Sequence, residues 1–247
     1  MTFDEVLDKL ESGELRSANK NEKGQWEADI RVKHSILEAF KAGASVAFNG
    51  FVDKDTLMPR EFTVDDGVRL VPGGSSVRRG AYVAKGVIIM PPAYINVGAY
   101  VDEGSMVDSH ALVGSCAQIG KHVHLSAGVQ IGGVLEPIGM APVVLEDNVF
   151  VGAGSVIVEG IVVRERAVIA PGVTLSRGVS IYDAVNNEIL ERGADVPTGA
   201  VVVSGTRPFN PSNKWANVQG LQLNCPIIIK YRDDKSDASL TLEEALR

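Results

Sequence analysis

Residues 71–131 read VPGGSSVRRGAYVAKGVIIMPPAYINVGAYVDEGSMVDSHALVGSCAQIGKHVHLSAGVQI, and an aliphatic residue recurs through them at every sixth position. The column is Val71, Val77, Val83, Ile89, Ile95, Val101, Val107, Val113, Ile119, Leu125 and Ile131. Four residues after each of the first ten stands a second column, Ser75, Ala81, Val87, Ala93, Ala99, Ser105, Ala111, Ala117, Val123 and Val129, all small or β-branched. Alternate residues of a strand share a face, so each small residue and the aliphatic two positions later point to the same side. Gly, Asp, Asn and Ser recur between them, where a tight corner needs residues that tolerate positive φ.

Strands this short cannot bury a core alone, but stacked copies can. Three such sides close a coil of about 18 residues, and successive coils stack at ~4.8 Å. The fold class is therefore mainly β, a hexapeptide-repeat parallel β-helix running from about Val71 to Val185. Beyond an interruption the first column resumes at Leu145 and continues through Val151, Ile157, Val163, Ile169, Leu175 and Ile181; the second reads Val149, Ser155, Ile161, Ala167, Val173, Val179 and Val185. The interruption, residues 132–144, contains GGVLEPIGMAP. Its Gly and Pro mark an excursion from the coil and a candidate wall of a binding site. The repeat alone leaves open which side the chain rejoins.

Three zones follow: a helical N-terminal domain (1–66), the β-helix (67–205) and a C-terminal extension (206–247). In the first, Phe3, Val6, Leu7 and Leu10 share a helical face, Thr2 and Glu5 form a capping box, and Gly13 ends the segment. A second helix is expected from Asp29 to Ala42, with Val32, Ile36, Leu37 and Phe40 inward and Gly43 at its end. After the break NNEILERGAD, one more turn of coil is expected around VPTGAVVVSG. The extension holds a β-like run, Leu221 to Tyr231, and a short helix, SLTLEEALR.

With 24 Lys and Arg against 31 Asp and Glu, the net charge of −7 argues against nucleic acid as the main partner. Two cysteines cannot build a disulfide framework, and neither CxxC nor zinc spacing is present. The start, MTFDEVLDKLESGEL, is acidic rather than signal-like, and the longest apolar runs are too short to cross a bilayer. A cytoplasmic protein with no metal is expected.

Outward-pointing reactive groups are the candidates for chemistry. Asp108 follows core residue Val107, and Asp102 holds the same place one strand earlier; either could instead cap its own turn. His124, just before Leu125, points outward toward a neighbouring copy, as a base or as an interface residue. Cys116 lies at a turn with no base beside it, which favours a structural role. Arg69 could pair with a carboxylate ligand. Arg164, Arg166 and Lys230 gather toward the C-terminal end of the coil and could meet cofactor phosphates.

The segments INVGAYVDEG, VGSCAQIG, VHLS and GVLEP resemble the tetrahydrodipicolinate N-succinyltransferases of lysine and diaminopimelate synthesis, and the similarity extends through SGELR and GQW on one side and VPTGAVVVSG on the other. The resemblance implies a homotrimer of left-handed β-helices that transfers succinyl from succinyl-CoA, a cosubstrate rather than a resident cofactor, to the amine of a cyclic dicarboxylate. It implies that Asp108 contacts the acceptor amine and that Arg69 binds an acceptor carboxylate. The N-terminus is shorter than the family's, and Gly154 and Val156 stand where the family carries an Arg and a Glu. A second catalytic carboxylate would then have to come from Glu159 or Glu136. The alternatives are an acetyl-CoA-dependent enzyme and a β-helical binding protein without catalysis.

Overall fold

The structure, a computed structural model, describes residues 1–232; the helix expected in SLTLEEALR lies outside them. Strands of two residues follow one another at six-residue spacing and stack in parallel on three faces. The first face aligns Val77, Ile95, Val113, Ile131, Ile157 and Leu175. The second aligns Val83, Val101, Ile119, Leu145 and Val163. The third aligns Leu70, Ile89, Val107, Leu125, Val151, Ile169 and Val202. From Val77 onward these aliphatics and the small column pack into one continuous apolar core. Each fully buried Val, Leu or Ile contributes roughly 1.5–3 kcal/mol of burial.

The repeat begins and ends differently from its expected limits. Leu70, not Val71, pairs with Ile89. Pro72, Gly73 and Gly74 absorb the additional residue, the glycines at φ 143° and 95°. At the far end the chain leaves the coil after Leu175. Val196 takes the place on the second face beside Val163, while Tyr182–Asp183 pairs with the C-terminal strand instead. Val185, expected in the small column, is exposed. The buried Asp183 carboxylate explains the departure: it accepts the Tyr231 hydroxyl at 2.6 Å and the amides of Val185 and Asn186. Those partners hold the carboxyl below its ordinary range despite the opposing effect of burial.

Across the interruption the phase is kept. Ile131 closes a strand of the first face and Leu145 pairs with Ile119 on the second, so the excursion is an insertion at a single edge. Each coil thus has a first-to-second, a second-to-third and a third-to-first edge.

In the N-terminal zone, helix α1 (Phe3–Glu11) carries the reciprocal Thr2–Glu5 capping box. Helix α2 (Ile30–Ala42) is capped by the Asp29 carboxylate. Its fully covered side includes Lys33 and Ala39, whereas Leu37 and Phe40 are only half-buried. Two hairpins accompany the helices in this zone, Ala18–Lys20 with Trp26–Ala28 and Ser45–Phe48 with Phe51–Lys54. The helices cover the first-to-second edge at Val97 and Cys116. Past Val196, strand Ala200–Pro208 leaves the coil and pairs antiparallel with Gln222–Tyr231, and helix α3 (Lys214–Val218) lies between them. Among the described residues no helix is long and apolar enough to cross a membrane.

Candidate active site

Asp108 stands at the third-to-first edge. Its amide donates to the Leu125 carbonyl at 2.9 Å, which fixes the residue to the next coil. Its Oδ1 accepts the Ser109 amide at 2.7 Å, so the side chain does cap its own turn, with the carboxylate outside the core. His110 completes that turn at φ +62°, a left-handed conformation taken by Gly128, Gly154 and Gly172 in later coils of the same edge. A histidine held there costs about 1 kcal/mol or more in backbone strain and places an exposed imidazole two residues from Asp108. Asp102, at the second-to-third edge, accepts the Glu103 amide in the same way.

Arg69 is exposed on the outer side of the third face, paired through its backbone with Ile88. It lies two strands, about 10 Å, from the strand that ends at Asp108. His124 occupies the same outward column, between Met106 and Phe150. It is not the exposed group expected: within this one chain it is 9% exposed, with its ring 5.0 Å from that of Phe150.

Glu136 and Glu159 belong to a different edge. Glu159, at φ +59°, turns the first-to-second edge and accepts the Arg177 amide at 3.0 Å. Glu136 is exposed in the excursion at that same edge. A side of six residues at ~3.3 Å per residue makes each face roughly 15–20 Å wide, so within one chain neither glutamate approaches Asp108. The turn over residues 152–155 does stand on the Asp108 edge, two coils further on. Nothing lies within 4 Å of where a Gly154 Cβ would be.

The basic residues divide. Arg164 is committed to carboxylates, donating from Nε to Asp195 at 2.8 Å and from a terminal nitrogen to Glu146 at 3.1 Å. Glu146 also takes the Lys20 ammonium at 2.8 Å and the Trp26 indole at 3.0 Å. Burial pushes its carboxyl up, but these donors together hold it below its ordinary value. Beside it the Arg16 guanidinium lies 3.8 Å over the Tyr100 ring and donates to Gln118, while burial pulls its pKa down. The second face is therefore covered by its own N-terminal segment. Arg166 and Lys230 lie instead where the coil meets the C-terminal hairpin. Arg232, two residues beyond Lys230, donates to the carbonyls of Asn148 and Arg166. Residue spacing gave no reason to single out Arg232, because only the hairpin brings it back to the coil.

Cys116 is fully buried, and burial pushes its thiol up to about 11 against the pull of the nearby Lys33 ammonium. That agrees with a structural role.

The stack of strands at six-residue spacing on three faces defines the class, a hexapeptide-repeat protein. Residues 142–177 match the family model for the hexapeptide repeat of succinyl-transferase, and residues 1–41 match that for the tetrahydrodipicolinate N-succinyltransferase N-terminal region. The 2,3,4,5-tetrahydropyridine-2,6-dicarboxylate N-succinyltransferase of Neisseria meningitidis serogroup C is 43% identical over 98% of this chain and 88% of its own. The enzyme of that name from Histophilus somni is 42% identical over 99% of this chain and 88% of its own. A solved structure from Campylobacter jejuni, titled a putative 2,3,4,5-tetrahydropyridine-2-carboxylate N-succinyltransferase, aligns with a TM-score of 0.45 and 15% identity over 92% of this chain and 62% of that one. The chain belongs to the tetrahydropyridine-2,6-dicarboxylate N-succinyltransferase family.

Proposed function

We propose that this chain transfers the succinyl group of succinyl-CoA to the amine of tetrahydrodipicolinate in the cytoplasm, as a homotrimer. The observation that carries the reading is the near full-length likeness to the Neisseria enzyme, which spans both the helical N-terminus and the coil. The position of Asp108 supports it. Water first adds across the acceptor's cyclic C=N bond and opens the ring to 2-amino-6-oxopimelate. The freed amine attacks the thioester carbonyl, the new C–N bond forms, the C–S bond breaks, and the amine nitrogen loses a proton. A carboxylate at hydrogen-bond distance orients the amine and takes that proton, which then passes to the departing thiolate. Arg69 offers a two-pronged donor to one acceptor carboxylate. Backbone N–H groups at the coil edges can stabilise the oxyanion of the tetrahedral intermediate. Arg166, Lys230 and Arg232 are the cations proposed for the CoA phosphates.

The separation of Asp108 from Glu136 and Glu159 by a whole face supports an oligomer. A second carboxylate reaches Asp108 only from a neighbouring copy, across a cleft between prisms. The test pairs succinyl-CoA and acetyl-CoA with tetrahydrodipicolinate and follows free thiol. Acceptor-dependent release from succinyl-CoA, by a species three times the 26.3 kDa chain mass, is expected. A folded trimer that releases no thiol overturns the activity, and preferred release from acetyl-CoA replaces the donor.

A further inference from the structure

Among the described residues Lys33, on α2, is the largest fully buried side chain. Burying an ammonium is unfavourable unless it is hydrogen-bonded. Its Nζ donates to the carbonyl of Met140, 107 residues away, at 2.6 Å. Burial lowers the lysine's pKa, with the Cys116 thiol acting in the opposite direction.

Met140 lies in the excursion between Ile131 and Leu145. The two ends of that loop are fixed by the coil itself, since the Val134 amide donates to Ser115 and the Val143 carbonyl accepts the Gln118 amide. Its middle turns back at Pro137, whose carbonyl takes the Met140 amide at 3.0 Å. Two features tie this middle section to the N-terminal helices. Leu135 packs against the cluster of Leu7, Leu10 and Ile36, and Lys33 holds Met140. The exposed carboxylate of Glu136 lies between these two anchors. Leucine packing alone is non-directional, whereas a charged hydrogen bond to one carbonyl fixes where the arm stands.

We infer that Lys33 is a positioning residue: its buried ammonium, by holding the Met140 carbonyl, sets the loop that presents Glu136 as a wall of the acceptor site. The inference rests on the succinyltransferase reading for its kinetic consequence, but not for its structural one. Lys33→Met removes the charge and the donor at nearly constant volume, and it relieves a desolvated ammonium, so the fold need not lose stability.

The experiment compares wild type, Lys33→Met and Lys33→Gln, which keeps a donor without the charge. Each is followed by amide hydrogen exchange of residues 132–143, by melting temperature, and by steady-state kinetics in both substrates. In Lys33→Met, loop exchange is expected to rise at least tenfold and the KM for the acceptor about tenfold, the scale of one charged hydrogen bond. The KM for succinyl-CoA and the melting temperature should hold, and Lys33→Gln should fall between. Unchanged loop exchange overturns the inference. So does an equal loss in kcat and both KM values that follows melting temperature, or failure of both variants to fold, which would make Lys33 a folding residue. A wild type that exchanges as expected but turns nothing over fails the activity reading alone.

Discussion

Substituting alanine for Gly133 tests the loop without touching any charged group. Gly133 opens the excursion, and its φ is not left-handed, so alanine costs no backbone strain there. The obstacle is steric. A Cβ on Gly133 would stand 2.6 Å from the Ser115 amide nitrogen and 3.2 Å from the Gly114 carbonyl carbon, both backbone atoms of the packed coil. Reaching an ordinary contact of about 3.4 Å requires the loop mouth to move by roughly 0.8 Å, because the coil beneath is held on both sides by its neighbours. Strain of this kind costs about 1–3 kcal/mol. An error near 1 Å in a positioning segment can lower turnover by up to about 100-fold. Gly139 supplies the control: it lies in the same loop, is also outside the left-handed region, and has nothing within 4 Å of its missing Cβ. Gly139→Ala should keep full activity and gain up to about 1 kcal/mol through the unfolded chain. The assay is thiol release under saturating succinyl-CoA, beside thermal unfolding of both variants. Equal activity and stability of Gly133→Ala and Gly139→Ala would refute the claim that docking of the loop mouth governs the site.

Asp108→Asn keeps an oxygen to accept the Ser109 amide, so the coil should retain its circular dichroism and melting temperature while kcat falls by about 100-fold or more; turnover within twofold of wild type would remove Asp108 from proton transfer. Because the Glu146 carboxyl is held below its ordinary value by Lys20, Trp26 and Arg164, its stabilisation is fully present above the unfolded-state pKa and is lost as pH falls through the folded one. Glu146→Gln should accordingly be less stable than wild type at neutral pH and flatten the acid limb of stability against pH, and parallel acid limbs in wild type and variant would contradict the assignment. With its thiol pushed up to about 11, Cys116 is thiolate in only about one molecule in a thousand at pH 8. Native protein should therefore leave Cys116 unlabelled by a thiol reagent until denaturant is added, as read by peptide mapping, and rapid native labelling would show that the N-terminal cover opens.

The interior of the coil was legible because its period depends on no distant partner. Each aliphatic from Val77 to Leu175 meets the equivalent residue one coil away, so the six-residue spacing is itself the contact list. Its ends were not legible, for two different reasons. At the start, Leu70 and Val71 are neighbouring aliphatics, and only the conformations of Gly73 and Gly74 decide between them. At the finish, Ile181 continues the spacing, but Asp183 draws its chain toward Tyr231, 48 residues later. Asp108 was legible as outward from strand alternation alone. The edges of Glu136 and Glu159 were not, because they depend on which side the chain rejoins after residue 144. Lys33 was hidden by composition: a lysine on an amphipathic helix reads as solvated, and only the returning loop covers it.

Between Val77 and Val202 every insertion into the repeat uses the same edge. The helices pack on the first-to-second edge at Val97 and Cys116, the loop between Ile131 and Leu145 leaves from it, and so does the stretch between Leu175 and Val196. The edge that carries Asp108 keeps its short turns in every coil from residues 90–93 to 170–173. Insertions are tolerated on a solenoid wherever they do not block stacking, so nothing in the coil's own packing prefers one edge to another. The proposed homotrimer would account for the asymmetry. A neighbouring prism can approach Asp108 only across an edge without bulk, and the elements that would obstruct it, including the loop with Glu136, stand one face away. There, in the proposed homotrimer, they would wall the same cleft from the adjoining copy.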